Sequence, residues 1–162
     1  MRWHAIDSGA IVQSGVRSGK NDHYTTNTEG DAMKGFVQDI DTLTVENKDF
    51  RRVLYTSKHC QLVLMSLKAK EEIGAETHTL DQFFRVEMGS GEAILDGIRT
   101  RIHKGFAVLI PAGMLHNIVN TGNGVMKLYT LYAPPNHRDG TVHQTRNDAE
   151  TADEHFDGKT TE

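Results

Sequence analysis

Cysteine is almost absent. Cys60 is the only one in 162 residues, which excludes an internal disulfide and any cluster of thiolate metal ligands. It sits at the head of the apolar run 60–67 and reads as a small core residue rather than a nucleophile. Proline is nearly as scarce, and Pro111, Pro134 and Pro135 all fall late in the chain. No apolar run approaches the roughly 20 residues that a membrane helix needs, so no membrane span is expected. The N-terminus lacks a signal-type stretch too, because Ile11 and Val12 run at once into Gln13 and Ser14. The expected compartment is therefore the cytoplasm. Nor is there a basic stripe or a basic-aromatic interleaving, so nucleic acid is not an expected partner.

What is present is acidic at one end. The formal charge is −4, and the segment 144–162 holds six acids against two bases, which matches that value alone. This tail reads as a solvated appendage. Its Thr145-Arg146-Asn147-Asp148 start has capping-box character, and a short helix is expected over 149–155. Residues 1–32 are rich in Ser, Gly, Asn, Thr and Asp without sustained periodicity, and read as a flexible extension. A short helical turn is expected within 39–50, capped by Asp41. One folded domain then occupies 33–143, in keeping with the chain length.

That domain has β texture. Apolar or alternating stretches at 53–55, 60–67, 83–88, 92–95, 98–102, 106–110, 116–120 and 125–132 follow one another at short intervals. Turn residues break them, and Asp96-Gly97 and Asn123-Gly124 have the chemistry of two-residue hairpins. The run 60–67 is apolar enough to be buried on both faces. About eight short strands without intervening helices predict an all-β closed barrel or jelly roll with short peripheral helices.

Two stretches carry chemistry. In Gly74-Ala75-Glu76-Thr77-His78-Thr79-Leu80-Asp81-Gln82, Glu76 and His78 are two apart and share a face if the backbone is extended. Gln82 shares that parity if the strand continues, or returns to the site if a turn intervenes. A carboxylate, an imidazole and an amide oxygen together suit a borderline or hard divalent cation. In the second stretch, 105–120, a buried strand is stopped by Pro111, reversed through Gly113 and restarted at His116. Around them, His103 reads as surface, while His137 and His143 follow the last strand and read as solvent-facing loop residues. Tyr129 and Tyr132 read as core or rim, with a hydroxyl near the pocket as the functional alternative. Phe83 and Phe84 should divide between interior and exterior.

The second stretch has the form G-x5-P-x-G-x2-H-x3-N and resembles the second motif of the cupin superfamily at every fixed position. Two Gly and one Pro at those positions match by chance at about 2 in 10,000 sites, before His116 and Asn120 are counted. The first stretch resembles the first cupin motif with two departures: Glu76 stands where a His is usual and Gln82 where a Glu is usual, with Gly89 on register. The likeness covers about 33–143 and is nearest to small single-domain cupins labelled mannose-6-phosphate isomerase-like. It implies a jelly-roll β-barrel and a divalent metal (Mn, Fe, Zn or Ni) ringed by Glu76, His78, Gln82 and His116. It also implies a small-molecule ligand and a homodimer that covers open sheet edges. With Glu76 the only anion of that set, a bound dication leaves net positive charge, so an anionic or polyhydroxy ligand is expected.

Three readings follow. The first is a metalloenzyme of isomerase or lyase type, with the ion as Lewis acid and Glu76 as general base if it is not a ligand. The second is a non-haem iron dioxygenase, since His78, His116 and Glu76 make a two-His, one-carboxylate set. The third is a non-catalytic ligand-binding barrel.

Overall fold

The computed structural model describes residues 35–162. The extension expected over 1–32 lies outside the described residues. Element order is α1 (Ile40–Glu46), β1 (Arg51–Thr56), β2 (Gln61–Leu67), β3 (Asp81–Met88), β4 (Ser90–Leu95) and β5 (Ile98–His103). Then come β6 (Ala107–Ile110), β7 (His116–Val119), β8 (Met126–Ala133), β9 (Val142–His143) and α2 (Arg146–Thr151). All eight expected strands form, with ends displaced by one or two residues. The ninth, β9, is two residues long and pairs with β1 through Arg51↔His143 and Arg52↔Val142. Too short for any periodicity, it left no signal.

The strands make two antiparallel sheets, one ordered β6-β3-β8-β2-β1-β9 and one ordered β5-β4-β7. Alternate residues of the larger sheet point inward, as the period of two requires. Val63, Met65 and Leu67 of β2, Phe84 and Val86 of β3 and Leu128 of β8 meet Ala93, Ile102 and Ile118 of the smaller sheet in one core. The fold is an all-β jelly roll with short peripheral helices, and the isolated bridges Glu72↔Val119 and Glu76↔His116 tie the β2–β3 loop to β7. At one end of the larger sheet the apolar rows give way to a polar row. There Gln82 pairs with Tyr132, and Tyr132 with Gln61, all three fully buried.

β2 is covered on both faces as expected, because α1 packs on the outside of the larger sheet. The helix is capped by Asp39 rather than Asp41: Asp39 accepts from the Thr42 N–H at 3.2 Å and from its hydroxyl at 2.7 Å. Cys60 falls just before β2 and is half-buried, so it is not the core residue its neighbours suggest. Burial raises its thiol pKa, which also argues against a nucleophile. Asp96 and Gly97 both have positive φ (47° and 83°) and turn the β4–β5 hairpin. Asn123-Gly124 does not make a hairpin. Neither residue has positive φ, and the segment carries the chain from β7 in one sheet to β8 in the other.

Gly91 marks the tightest backbone approach. A Cβ there would lie 2.1 Å from the Val119 carbonyl oxygen, so β4 and β7 can meet only over glycine.

Candidate metal centre

The two motif stretches meet through the backbone. Glu76 N–H donates to the His116 carbonyl at 2.9 Å, and His116 N–H to the Glu76 carbonyl at 3.0 Å. Pro111 stops β6, and Met114 N–H closes a turn on its carbonyl with Gly113 at φ 87° in the left-handed position. Gly113 N–H then donates to the His78 carbonyl at 2.8 Å, fastening the turn to the first motif. Glu76 and His78 therefore lie on an extended loop beside β7, and a bend at Thr79-Leu80 precedes β3. Of the two sequence alternatives for Gln82, the intervening turn is the one realised.

Side chains converge at this junction. One ligand-type atom from each of Glu76, His78 and His116 lies within 4.8 Å of the others. Glu76 Oε1 is 3.2 Å from His78 Nε2 and 3.5 Å from His116 Nε2. The His116 ring, 1% exposed, donates from Nδ1 to the Met114 carbonyl at 3.0 Å, which leaves Nε2 as its lone-pair nitrogen. Gln82 is fully buried on β3, and its Nε2 donates to the Thr130 hydroxyl at 3.1 Å. Its amide oxygen is left without a hydrogen-bond partner.

Four buried atoms here make no hydrogen bond: Glu76 Oε1, His78 Nε2, Gln82 Oε1 and His116 Nε2. They are one atom from each expected ligand. Leaving a buried polar atom unpaired costs roughly 1–3 kcal/mol, so four together would offset much of a typical net stability of about 5–15 kcal/mol. Glu76 Oε1, His78 Nε2 and His116 Nε2 lie close enough together for one cation to meet all three. The donor set fits a divalent metal of borderline or hard type.

Electrostatics agree. Burial alone would raise the Glu76 pKa. Hydrogen-bonding contact with His116 and His78, and the charges of His78 and Arg51, outweigh it and hold the carboxyl near about 2. For His116, burial opposes the charged form, but Glu76 and the Met114 carbonyl raise its pKa overall.

The cluster opens into a cavity of about 350 Å³ that the sequence reading did not foresee. Its far wall is the acidic tail. α2 is N-capped by Thr145, whose capping box with Asp148 is complete; it starts three residues and ends four residues earlier than expected. Arg146, Ala149, Glu150 and Glu154 all line the cavity. Glu154 accepts from His137 Nδ1 at 2.7 Å and from Arg138 N–H at 2.8 Å, and farther on Thr161 N–H donates to the Thr56 carbonyl at 2.9 Å. The tail is thus a fastened wall and not a solvated appendage.

His137 and His143 are likewise buried, not solvent-facing. Gln61 holds the His137 backbone, accepting from its N–H at 2.9 Å and donating to its carbonyl at 2.7 Å. Burial lowers the His137 pKa despite its carboxylate partner, so the ring is neutral at pH 7 with its Nδ1 proton on Glu154. The Glu154 carboxyl is pulled down to about 2 because these hydrogen bonds outweigh its own burial. Tyr132 is core, edge-on to both His78 (5.7 Å) and His137 (5.2 Å). Phe84 is buried and Phe83 stacks outside on Tyr129, while His103 is exposed, all as expected.

Arg51 went unnoticed. It points inward from β1 into the same cavity, 9% exposed. Only the tertiary fold distinguishes it from Arg52 beside it, which pairs with Asp49 on the surface.

Residues 63–132 match the family model described as a cupin domain. The chain is 45% identical over 130 residues to the uncharacterized protein YrkC of Bacillus subtilis, covering 75% of this chain and 69% of that one. The crystal structure of BH2720 from Bacillus halodurans superposes with a TM-score of 0.72 at 44% identity, over 76% of this chain and 98% of that chain. The chain belongs to the cupin superfamily. TT1209 of Thermus thermophilus, at 20% identity and a TM-score of 0.55, shares the fold over 60% of this cupin and 96% of its own length. Cupins commonly bind a divalent metal, and this one carries a His/Glu group able to hold it. Among the described residues no helix is long and apolar enough to cross a membrane.

Proposed function

We propose that this cupin is a divalent-metal enzyme of isomerase or lyase type acting on a small polar or anionic molecule. The observation that carries the reading is the cluster of Glu76, His78 and His116, two of whose members, Glu76 and His78, line one cavity. When bound, the ion supplies Lewis acidity toward a carbonyl or hydroxyl. The chain supplies the rest. A carboxyl held near about 2 is anionic at neutral pH, which suits Glu76 as a ligand better than as a general base. His137 is the better proton carrier. Neutral, buried and oriented through Nδ1 by Glu154, it keeps Nε2 as the basic nitrogen, facing only the Asn136 amide at 3.4 Å. The tail wall restricts water at the cavity, and a volume of about 350 Å³ suits a small metabolite.

Elemental analysis of purified protein tests this. About one metal per chain in wild type and a small fraction of that in His116→Ala are expected; a metal-free wild type that takes up no added Mn, Fe, Zn or Ni would overturn it.

A second reading, the non-haem iron dioxygenase, is favoured by the two-His, one-carboxylate composition of Glu76, His78 and His116. Oxygen uptake by the ferrous protein on addition of a substrate panel selects it, and tight zinc or nickel without uptake selects the first. In either case we propose a homodimer. Edge strand β6 and β5 present exposed Leu109 and Ile98, and an uncovered apolar edge invites pairing. Light scattering that returned a monomer mass would exclude it.

A further inference from the structure

Arg51 has no partner equal to its charge. Its Nε is buried without a hydrogen bond, and no carboxylate pairs with it among the described residues. The nearest aromatic, Phe50, lies with its ring centroid 5.9 Å from the guanidinium carbon. Apart from Glu76 of the metal cluster, the carboxylates and Arg146 of the cavity are engaged. Arg146 pairs with Glu150 at 2.8 Å and faces Glu72 at 3.6 Å, while Glu154 is held by His137 and Arg138. Arg51 is nine-tenths buried as a residue, and a buried charge without a paired partner is strongly unfavourable. Evolution toward an apolar residue would relieve that cost unless the charge is used. Arg51 lines the same cavity as Glu76 and His78, so whatever fills the cavity meets both.

We propose that Arg51 is the anion-recognition residue of this cavity, and that the ligand is a small molecule bearing a carboxylate. The proposal rests on reading the cavity as the substrate site and deepens that reading by naming the substrate class. A carboxylate is favoured over a phosphate on two counts. The planar guanidinium matches it two-pronged, and with Arg51 and Arg146 set against Glu76, Glu150 and Glu154 in the cavity lining, a bound dication leaves one excess positive charge, which one negative charge balances. Neutral polyols satisfy neither the charge nor the fork.

The test is calorimetric titration of succinate, succinamide, erythritol and inorganic phosphate into zinc-loaded and EDTA-treated protein. Succinate should bind wild type, with succinamide at least about tenfold weaker, as expected for losing a charge-assisted pair. Arg51→Gln should lose about tenfold or more in succinate affinity with zinc content unchanged, and Arg51→Lys should keep part of it. Equal succinate affinity in wild type and Arg51→Gln would overturn the proposal. So would binding of erythritol or succinamide alone, and tighter binding of phosphate would overturn the carboxylate assignment. Should Arg51→Gln fail to fold, the wild-type contrast between succinate and succinamide decides. Failure of the metal reading is separate: it appears as absent zinc in wild type, while Arg51-dependent succinate binding persists in the EDTA-treated protein.

Discussion

Single side chains decide the chemistry here, and two substitutions probe it. Gln82 is the least usual member of the donor set, an amide where related motifs have a carboxylate. Gln82→Glu restores the anion beside Glu76 and should tighten metal binding, read as a lower apparent dissociation constant in a zinc competition titration. An unchanged constant would place the Gln82 amide oxygen outside the coordination sphere. Gly91 probes packing. Gly91→Ala drives a methyl into the Val119 carbonyl, where backbone must move, and should cost at least about 2 kcal/mol in urea unfolding. Gly97→Ala meets no atoms within 4 Å and strains only its positive φ, so it should cost less.

At the scale of elements, the tail is the piece whose role changes most between sequence and structure. Glu154 couples it to the loop after β8, and the coupling is pH-dependent. The folded Glu154 pKa of about 2 lies below the ordinary 4.5, so its contribution is fully present above pH 4.5 and is lost as pH falls toward 2. His137, whose pKa is lowered from 6.5 by burial, acts in the same sense from below pH 6.5. His116, whose pKa is raised, acts in the opposite sense and offsets His137 around pH 6.5, so the net decline in stability should fall mainly below pH 4.5. Glu154→Gln should flatten the part below pH 4.5, as followed by thermal unfolding at stepped pH. A variant profile that still fell as steeply there would show that Glu154 does not fasten the tail. Thr145→Ala removes the cap of α2 and should cost about 1 kcal/mol.

For the whole molecule, metal and fold are linked through the junction of the two motifs. Glu76 and His116 join the β2–β3 loop to β7 by backbone as well as by side chain, so an ion held there would stabilise the folded state as a whole. At a free metal concentration 100 times its dissociation constant the gain is about 2.7 kcal/mol. Zinc should raise the melting temperature of wild type, EDTA should reverse it, and His116→Ala should show neither response in differential scanning calorimetry.

The strands, the Asp96-Gly97 hairpin, the α2 capping box and the two motifs that carry Glu76, His78, Gln82 and His116 could all be read from residues alone. Each is local: strand alternation, a turn with positive φ, a cap three residues from its partner, or a motif whose spacing is fixed by one Pro and its glycines. The tertiary structure decided what depends on distant partners. Burial of His137 needs Gln61, 76 positions away, and its proton is oriented by Glu154 from the tail. Arg51 and Arg52 are alike in sequence, and the pleat sends one into the cavity and the other to solvent. Asn123-Gly124 looks like a hairpin in isolation, yet its flanking strands belong to different sheets. Sequence by itself determined the strand rhythm, the turns and the caps, because each of these is a local property. Only the fold fixed what faces the candidate metal centre, because a cavity wall is assembled from segments that meet through packing and share no pattern along the chain.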